Sequence, residues 1–175
     1  MMGTRFSDRG RRNRSTDRAR GWIVVLVLVV LEFYVRPSFA VGRGLPDFLL
    51  LALLIVSMRS RPSTAAVAGL VVGFIVDVLT PASFGAGMIA HVLVGWAVAS
   101  GRAVFFADNL LVNAGFFFLG TWIRNVLLVA VSGASMAELA VEATLWAPIQ
   151  GLSTTLAGLI LVVLFRDWLV VRVLK

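Results

Sequence analysis

The chain has 175 residues, of which 59% are hydrophobic and only 14% are charged, and its mean hydropathy is +0.95. Because soluble domains carry about 25% charged residues, this composition excludes an ordinary soluble domain and favours a polytopic, all-α membrane protein. Its long apolar runs do not alternate as the strands of a β-barrel would. The absence of cysteine excludes disulfides, thiolate metal sites and cysteine nucleophiles.

The first twenty residues are strongly basic and hold seven of the sixteen basic residues of a chain whose net charge is +7. Since this stretch is almost free of apolar residues, it predicts a disordered cytoplasmic tail over 1–20, before a transmembrane domain over 21–175. We expect the tail to hold the N-terminus in the cytoplasm and to attract anionic lipid. No aromatic platform accompanies its charges, so nucleic acid is not an expected partner.

Six apolar segments predict six transmembrane helices. The first also resembles a signal peptide, but Glu32, Arg36 and Pro37 stand before the candidate cleavage site and favour an uncleaved span. The second and third are short for a hydrocarbon core of about 30 Å, so a re-entrant pair is the alternative. A loop of mainly small residues over 132–142 precedes the last span. The predicted spans cover residues 22–39, 45–58, 64–79, 86–100, 109–131 and 144–165.

The charges support an even number of spans with both termini in the cytoplasm. With the N-terminus inside, the cytoplasmic segments contain all the tail arginines and six further basic residues, including those near the C-terminus. The predicted outer loop after the fifth span contains Glu138 and Glu142 and no basic residue. This asymmetry follows the positive-inside rule. An odd number of spans would break it.

Five polar residues are predicted to share one layer in the outer leaflet. Arg124 is the expected counter-ion of Asp77 or Glu32, because an unpaired charge in lipid is costly. Two interpretations stay open, namely a salt-bridge network that holds the helices together and a polar cavity or groove for a ligand. Asp47 after Pro46 also suits an ordinary helix N-terminus. The predicted layer consists of Glu32, Asp47, Asp77, His91 and Arg124.

Small residues at a spacing of four mark two helix faces. One carries Gly69 and Gly73 in line with Asp77, and the other carries His91 between two glycines. Because such faces let helices approach closely, they predict helix packing or partner binding. A single histidine without cysteines is a poor metal site, so a hydrogen-bonded helix contact is expected there. The glycines proposed for packing or partner binding are Gly69, Gly73, Gly87 and Gly95.

No Ser-His-Asp order, phosphate-binding glycine loop or paired-carboxylate spacing occurs in a suitable context. The sequence therefore predicts no catalytic residue, no cofactor and no enzyme.

The stretch from Pro46 to Gly87 combines several recognisable features. Pro46 and Asp47 open an apolar span, a short basic loop follows, and the Gly69, Gly73 and Asp77 spacing precedes Pro81 and Gly85. Together with the chain length and the six apolar segments, this pattern resembles MreD, the rod shape-determining membrane protein family of bacteria. The resemblance implies a fold similar to the six-helix substrate-binding subunits of energy-coupling-factor transporters.

The resemblance also implies a non-enzymatic component of the cell-elongation and peptidoglycan-synthesis machinery in the bacterial inner membrane. Its expected partner is the single-span protein MreC, with RodA, its transpeptidase and MreB in the same assembly. Membrane lipid and a second copy of the chain are further expected partners. The rival hypothesis is a substrate-binding subunit of a vitamin-type transporter. The partner's contact face, the oligomeric state and the occupant of any pocket stay open.

Overall fold

The computed structural model describes residues 21–34, 44–102 and 109–165, and all regular structure in these ranges is helical. The predicted tail over 1–20 lies outside them, as do Arg36 and the C-terminal basic residues. A 3-10 turn over Pro81–Ser83 follows the third helix, and a π-helical turn over Glu142–Trp146 joins the last two. The α-helices are α1 (Gly21–Tyr34), α2 (Phe48–Ser57), α3 (Pro62–Leu79), α4 (Ala86–Arg102), α5 (Leu110–Val131), α6 (Met136–Val141) and α7 (Ala147–Leu164).

The short helix α2 lies at the centre of the molecule. Every residue from Leu49 to Ile55 is buried, and the helix contacts α3, α4, α5 and α7. Val24 and Leu28 of α1 and Phe117 of α5 belong to the same apolar core. With ten residues, α2 is about 15 Å long, which is half the thickness of the hydrocarbon core. The apolar segment predicted as a second full span therefore forms a helix too short to cross the membrane unaided.

Three helical stretches are long and apolar enough to span a membrane, namely Pro62–Leu79, Leu110–Val131 and Met136–Leu164. The predicted third, fourth and fifth segments agree with α3, α4 and α5 to within about two residues. The outward faces of these helices carry exposed apolar side chains such as Leu70 and Phe74 on α3. This arrangement is that of an α-helical membrane protein, and the full count of six spans stays a prediction.

The loop predicted over 132–142 is wrong, because α6 begins at Met136. Ser135 Oγ accepts a hydrogen bond from the Glu138 amide at 3.3 Å, and Glu138 Oε2 accepts one from the Ser135 amide at 2.8 Å. This reciprocal pair is a capping box, which satisfies backbone donors at a helix start. The helical stretch therefore begins eight residues before the predicted sixth span and continues to Leu164.

A proline and a tryptophan account for the hydrogen bonding of the π-helical turn between α6 and α7. In such a turn an amide donates to the carbonyl five residues earlier, as Ala147 does to Glu142. Pro148 has no amide hydrogen with which to reach Ala143 in the same way. The Trp122 indole donates to the Ala143 carbonyl instead, at 2.9 Å. The turn leaves Glu142 buried, as are Ala147 and Gln150 further along the same stretch.

Candidate functional site

The N-terminus of α2 is surrounded by buried charged groups from other helices. Asp47 is the N-cap residue, and its Oδ1 accepts a hydrogen bond from the Leu50 amide at 2.8 Å. Its Oδ2 forms an ion pair with Nη2 of Arg124 from α5, and both side chains are less than 10% exposed. The Asp47 amide donates to Thr154 Oγ1 of α7 at 3.2 Å. One residue thus joins α2, α5 and α7.

A second carboxylate reaches the same helix end from α1. Glu32 Oε2 accepts hydrogen bonds from the Phe48 amide at 3.0 Å and from the Leu49 amide at 3.4 Å. Since the first amides of a helix have no intrahelical partner and carry partial positive charge, two carboxylates stabilise the start of α2. The short helix is therefore fixed inside the protein by its polar end.

An amide pair extends this cluster towards the chain that leads into α2. Asn125 Nδ2 donates to Gln150 Oε1 at 2.6 Å, and Gln150 Nε2 donates to the Leu45 carbonyl at 3.3 Å. Both side chains are buried, so these hydrogen bonds offset the cost of removing polar amides from water. We call Glu32, Asp47, Arg124, Asn125, Gln150 and Thr154 the α2 cluster.

Asp77 occupies a different place, at the start of α4. Its Oδ1 accepts a hydrogen bond from the Gly87 amide at 2.9 Å, and its Oδ2 accepts from Gly85 at 2.9 Å and from Met88 at 3.0 Å. The side chain is fully buried. Gly85 adopts a positive φ of 100°, which glycine reaches without steric cost. Asp77 therefore joins α3 to the N-terminus of α4.

His91 lies one turn after Gly87 and is fully buried. Its Nδ1 lies 2.7 Å from the Gly87 carbonyl oxygen. Since a carbonyl only accepts hydrogen bonds, Nδ1 carries the hydrogen in this contact. Nε2 has no hydrogen-bond partner within the described part of the chain. This hydrogen bond lies within α4, and the hydrogen-bonded contact with another helix that was expected for His91 stays a prediction.

The four glycines singled out by spacing all lie in the contact between α3 and α4. A Cβ at Gly73 would lie 2.5 Å from Met88 Cα, and one at Gly95 would lie 2.7 Å from the Ala65 carbonyl oxygen. A Cβ at Gly69 would collide with the His91 carbonyl, and one at Gly87 with the Asp77 carboxylate. These faces are filled by the chain's own helices, so a partner helix cannot use them while α3 and α4 are packed together.

The chemical capacity of this arrangement is to hold helix ends together. The hydrogen bonds of Glu32, Asp77, Asn125 and Gln150 join a carboxylate or amide side chain to another helix or to the chain just before a helix, whereas the Leu50–Asp47 and His91–Gly87 bonds are local. Among residues 21–34, 44–102 and 109–165, no group of three or more His, Asp or Glu side chains could hold a metal ion. The carboxylates described above contact the starts of α2 and α4, and Asp47 also pairs with Arg124.

A comparison with protein families gives the context for these observations. The family model described as rod shape-determining protein MreD matches residues 14–171, which is nearly the whole chain. The chain belongs to the MreD family. Membership implies a role in rod shape determination, and MreD is a shape-determining membrane protein family rather than a known enzyme family. Searches of curated proteins and of solved structures gave no match. The expected likeness to energy-coupling-factor subunits therefore stays a prediction.

In this MreD protein the predicted polar layer consists of two separate groups. Glu32, Asp47 and Arg124 meet at the start of α2, whereas Asp77 and His91 lie at the start of α4. Of the two counter-ions predicted for Arg124, Asp77 is wrong, whereas Glu32 stays a prediction. Over the described ranges, the bonds of Asp77 are to backbone amides, and Arg124 forms an ion pair with Asp47. Helix N-termini supply donors that remove the need for a cation near Asp77.

Several buried polar residues of the MreD protein were missing from the predicted layer. The predicted layer does not include Asn125 and Gln150, which pair with each other, or Thr154, which contacts the Asp47 amide. Gln150 and Thr154 are four residues apart in an apolar segment, and this spacing was an available signal. The burial of Glu142 was not predictable in the same way, because it depends on the π-helical turn.

We expect Asp77→Ala to lower the free energy of unfolding by about 3 kcal/mol, because one buried donor without a partner costs about 1 to 3 kcal/mol and three would be left. Asp77→Asn should lose less, since its single oxygen can keep the two bonds that Oδ2 accepts. Unfolding by sodium dodecyl sulfate in mixed micelles would measure both. Equal stability of the alanine variant and the wild type would contradict the capping role.

Proposed function

We propose that this MreD protein is a non-enzymatic scaffold of the bacterial cell-elongation machinery. It would lie in the inner membrane with both termini in the cytoplasm and bind an MreC-type single-span protein. The family match over residues 14–171 is the observation that carries the proposal. RodA with its transpeptidase, and MreB, would be reached through the same peptidoglycan-synthesis assembly, the elongasome.

The internal packing supports a scaffold because it leaves apolar faces for docking. The glycine faces of α3 and α4 are used within the chain, while Leu70 and Phe74 on α3 and Leu156 and Ile160 on α7 are exposed. Van der Waals packing drives helix association in lipid, so an exposed face of this kind suits a single partner helix or a second copy. We therefore place the partner on an outward face of α3 or α7.

The rival function is that of a substrate-binding subunit of a small-molecule transporter. The short helix α2 favours this function, because it begins among buried polar groups. Transporter substrate sites form at the ends of discontinuous helices. However, Asp47 and Glu32 already occupy the α2 N-terminus. An anionic substrate group would meet two carboxylates there, so the scaffold is the better supported proposal.

Co-purification in mild detergent tests the proposal. We expect the full chain to recover the MreC-type protein encoded in the same genome. If the partner docks on α3, Leu70→Trp should reduce its recovery, and if it docks on α7, Leu156→Trp should do so. The added bulk would separate the packed helices. The variant on the opposite face is the matched control. Recovery of transporter ATPase subunits, or thermal stabilisation by a vitamin, would instead support the rival function.

A further inference from the structure

The π-helical turn between α6 and α7 contains one residue more than an α-helical turn would. Ala147 donates its amide hydrogen to the Glu142 carbonyl, which lies five residues earlier in the chain. In an α-helix the same amide would donate to the carbonyl four residues earlier, which is that of Ala143. The turn thus has two conceivable hydrogen-bonding registers, a π register and an α register, and the structure shows the π register.

The side chain of Trp122 on α5 stabilises the π register in particular. In that register the amide facing the Ala143 carbonyl would belong to Pro148, and proline has no amide hydrogen. The Trp122 indole donates to this carbonyl instead, at 2.9 Å. In the α register Ala147 would supply the donor, so the indole would no longer be needed. Losing the indole hydrogen bond therefore disfavours the π register more than the α register.

The register determines which side chain of the turn faces the interior. Glu142 is buried, whereas Val141 before it is exposed and Ala143 after it is half-buried. The buried face of α7 begins at Ala147, and in an α-helix the residue four positions earlier shares that face. In the α register this residue is Ala143. A small apolar side chain would then replace a carboxylic acid in the interior, and Glu142 would turn outward by about 100°.

The turn lies close to a surface of the membrane. Glu138, four residues before Glu142, is exposed and belongs to the capping box of α6. Because an exposed carboxylate is costly in hydrocarbon, Glu138 lies among headgroups or in water. The stretch Met136–Leu164 has 29 residues and is about 43 Å long, against a hydrocarbon core of about 30 Å. An outward Glu142 would therefore have water or headgroups within reach.

We propose that the turn over Glu142–Trp146 is a register switch at the membrane surface. The Trp122 indole holds the π register with Glu142 inside, and release of the indole turns Glu142 outward. The change to the α register rotates α6 by about 100° and moves it about 1.5 Å along its axis. A contact that α6 makes in one register alone shifts the equilibrium towards that register. The switch thereby connects the surface of α6 to the contact between α5 and the turn.

Single cysteines can report the register, because the chain contains no cysteine of its own. The rate at which Glu142→Cys reacts with a water-soluble maleimide would be measured on the full chain in mild detergent. Trp122→Phe removes the donor and keeps an aromatic ring. We expect it to speed this reaction about two- to tenfold, the population shift that corresponds to one lost hydrogen bond. Trp96→Phe, the same change at an exposed tryptophan of α4, is the matched control and should leave the rate unchanged.

Pro148→Ala tests the same switch without touching the indole. The new amide would serve the Thr144 carbonyl in the α register, where proline leaves that carbonyl without an amide donor. In the π register it would add little, because the Ala143 carbonyl already accepts from the indole. Pro148→Ala should therefore also speed the maleimide reaction of Glu142→Cys.

A buried cysteine elsewhere distinguishes a change of register from general loosening of the fold. Ser57→Cys is nearly isosteric and lies fully buried in α2, so its reaction should stay slow with Trp122→Phe and with Pro148→Ala. Faster reaction of Ser57→Cys and Glu142→Cys together would overturn the proposal, as would a folded Trp122→Phe protein in which Glu142→Cys reacts at the original rate. If Trp122→Phe does not fold, an unchanged rate in Pro148→Ala would overturn it instead.

Discussion

Replacing Arg124 by methionine is expected to lower the free energy of unfolding by about 3 to 5 kcal/mol, the usual effect of removing one partner of a buried ion pair. The methionine fills much of the same volume, so the loss is chiefly electrostatic. The Asp47 carboxylate would remain buried beside α2 without this guanidinium. Unfolding in mixed micelles, followed by tryptophan fluorescence, would measure the change.

A double-mutant cycle separates the ion pair from the other roles of Asp47. Asp47→Asn removes the charge but keeps a side chain suited to an N-cap. The double variant Asp47→Asn with Arg124→Met should lose less unfolding free energy than the sum of the two single losses. The difference should be about 0.5 to 3 kcal/mol, as for residues in direct contact. The double variant has neither charge to leave unpaired.

The matched control is a cycle between Arg124→Met and Asp77→Asn. These residues belong to the two separate polar groups, so their effects should add to within about 0.5 kcal/mol. Coupling between Arg124 and Asp77, with additivity between Arg124 and Asp47, would contradict the arrangement described here. It would restore the pairing that residue depth alone had predicted.

The predicted pairing of Arg124 with Asp77 shows which features of a membrane protein its sequence reveals and which it does not. The apolar runs located α3, α4 and α5 closely, because helices in lipid need long uninterrupted apolar segments. Spacing also identified Asp77 and the glycines as residues of helix contacts. Depth in the membrane, however, gives no lateral position, so it could not distinguish Asp47 from Asp77 as the partner of Arg124.

The partners of the carboxylates were missed for a related reason. The sequence predicts a side-chain counter-charge for these carboxylates, whereas Glu32 and Asp77 accept hydrogen bonds from backbone amides at helix starts. The sequence did contain some usable signals. Ser135 and Glu138 have capping-box spacing, which marks the start of α6. Pro148 has no amide hydrogen, so a carbonyl one turn earlier needs another donor, here the Trp122 indole at Ala143. The length of α2 was less accessible, because an apolar run does not show where its helix begins.

Gly73→Ala is the second change for which a large effect is expected, a loss of about 3 kcal/mol at the upper end of the range for overpacking. The new Cβ would lie 2.5 Å from Met88 Cα and 2.6 Å from the Gly87 carbonyl oxygen. Because these atoms are backbone, no rotamer change can relieve the contact. The helices α3 and α4 would have to separate, which would also disturb the hydrogen bonds of Asp77 to the start of α4.

Gly115→Ala in α5 is the matched control, because among the described residues no heavy atom beyond the adjacent backbone of α5 lies within 4 Å of its added Cβ. Both changes alter helix propensity equally, so their difference in unfolding free energy isolates the contact between α3 and α4. In co-purification, the amount of MreC-type partner recovered per folded Gly73→Ala molecule should equal that of the wild type. A Gly73→Ala protein with wild-type stability that fails to bind an MreC-type partner would contradict this. It would show that the glycine face serves the partner and not the fold.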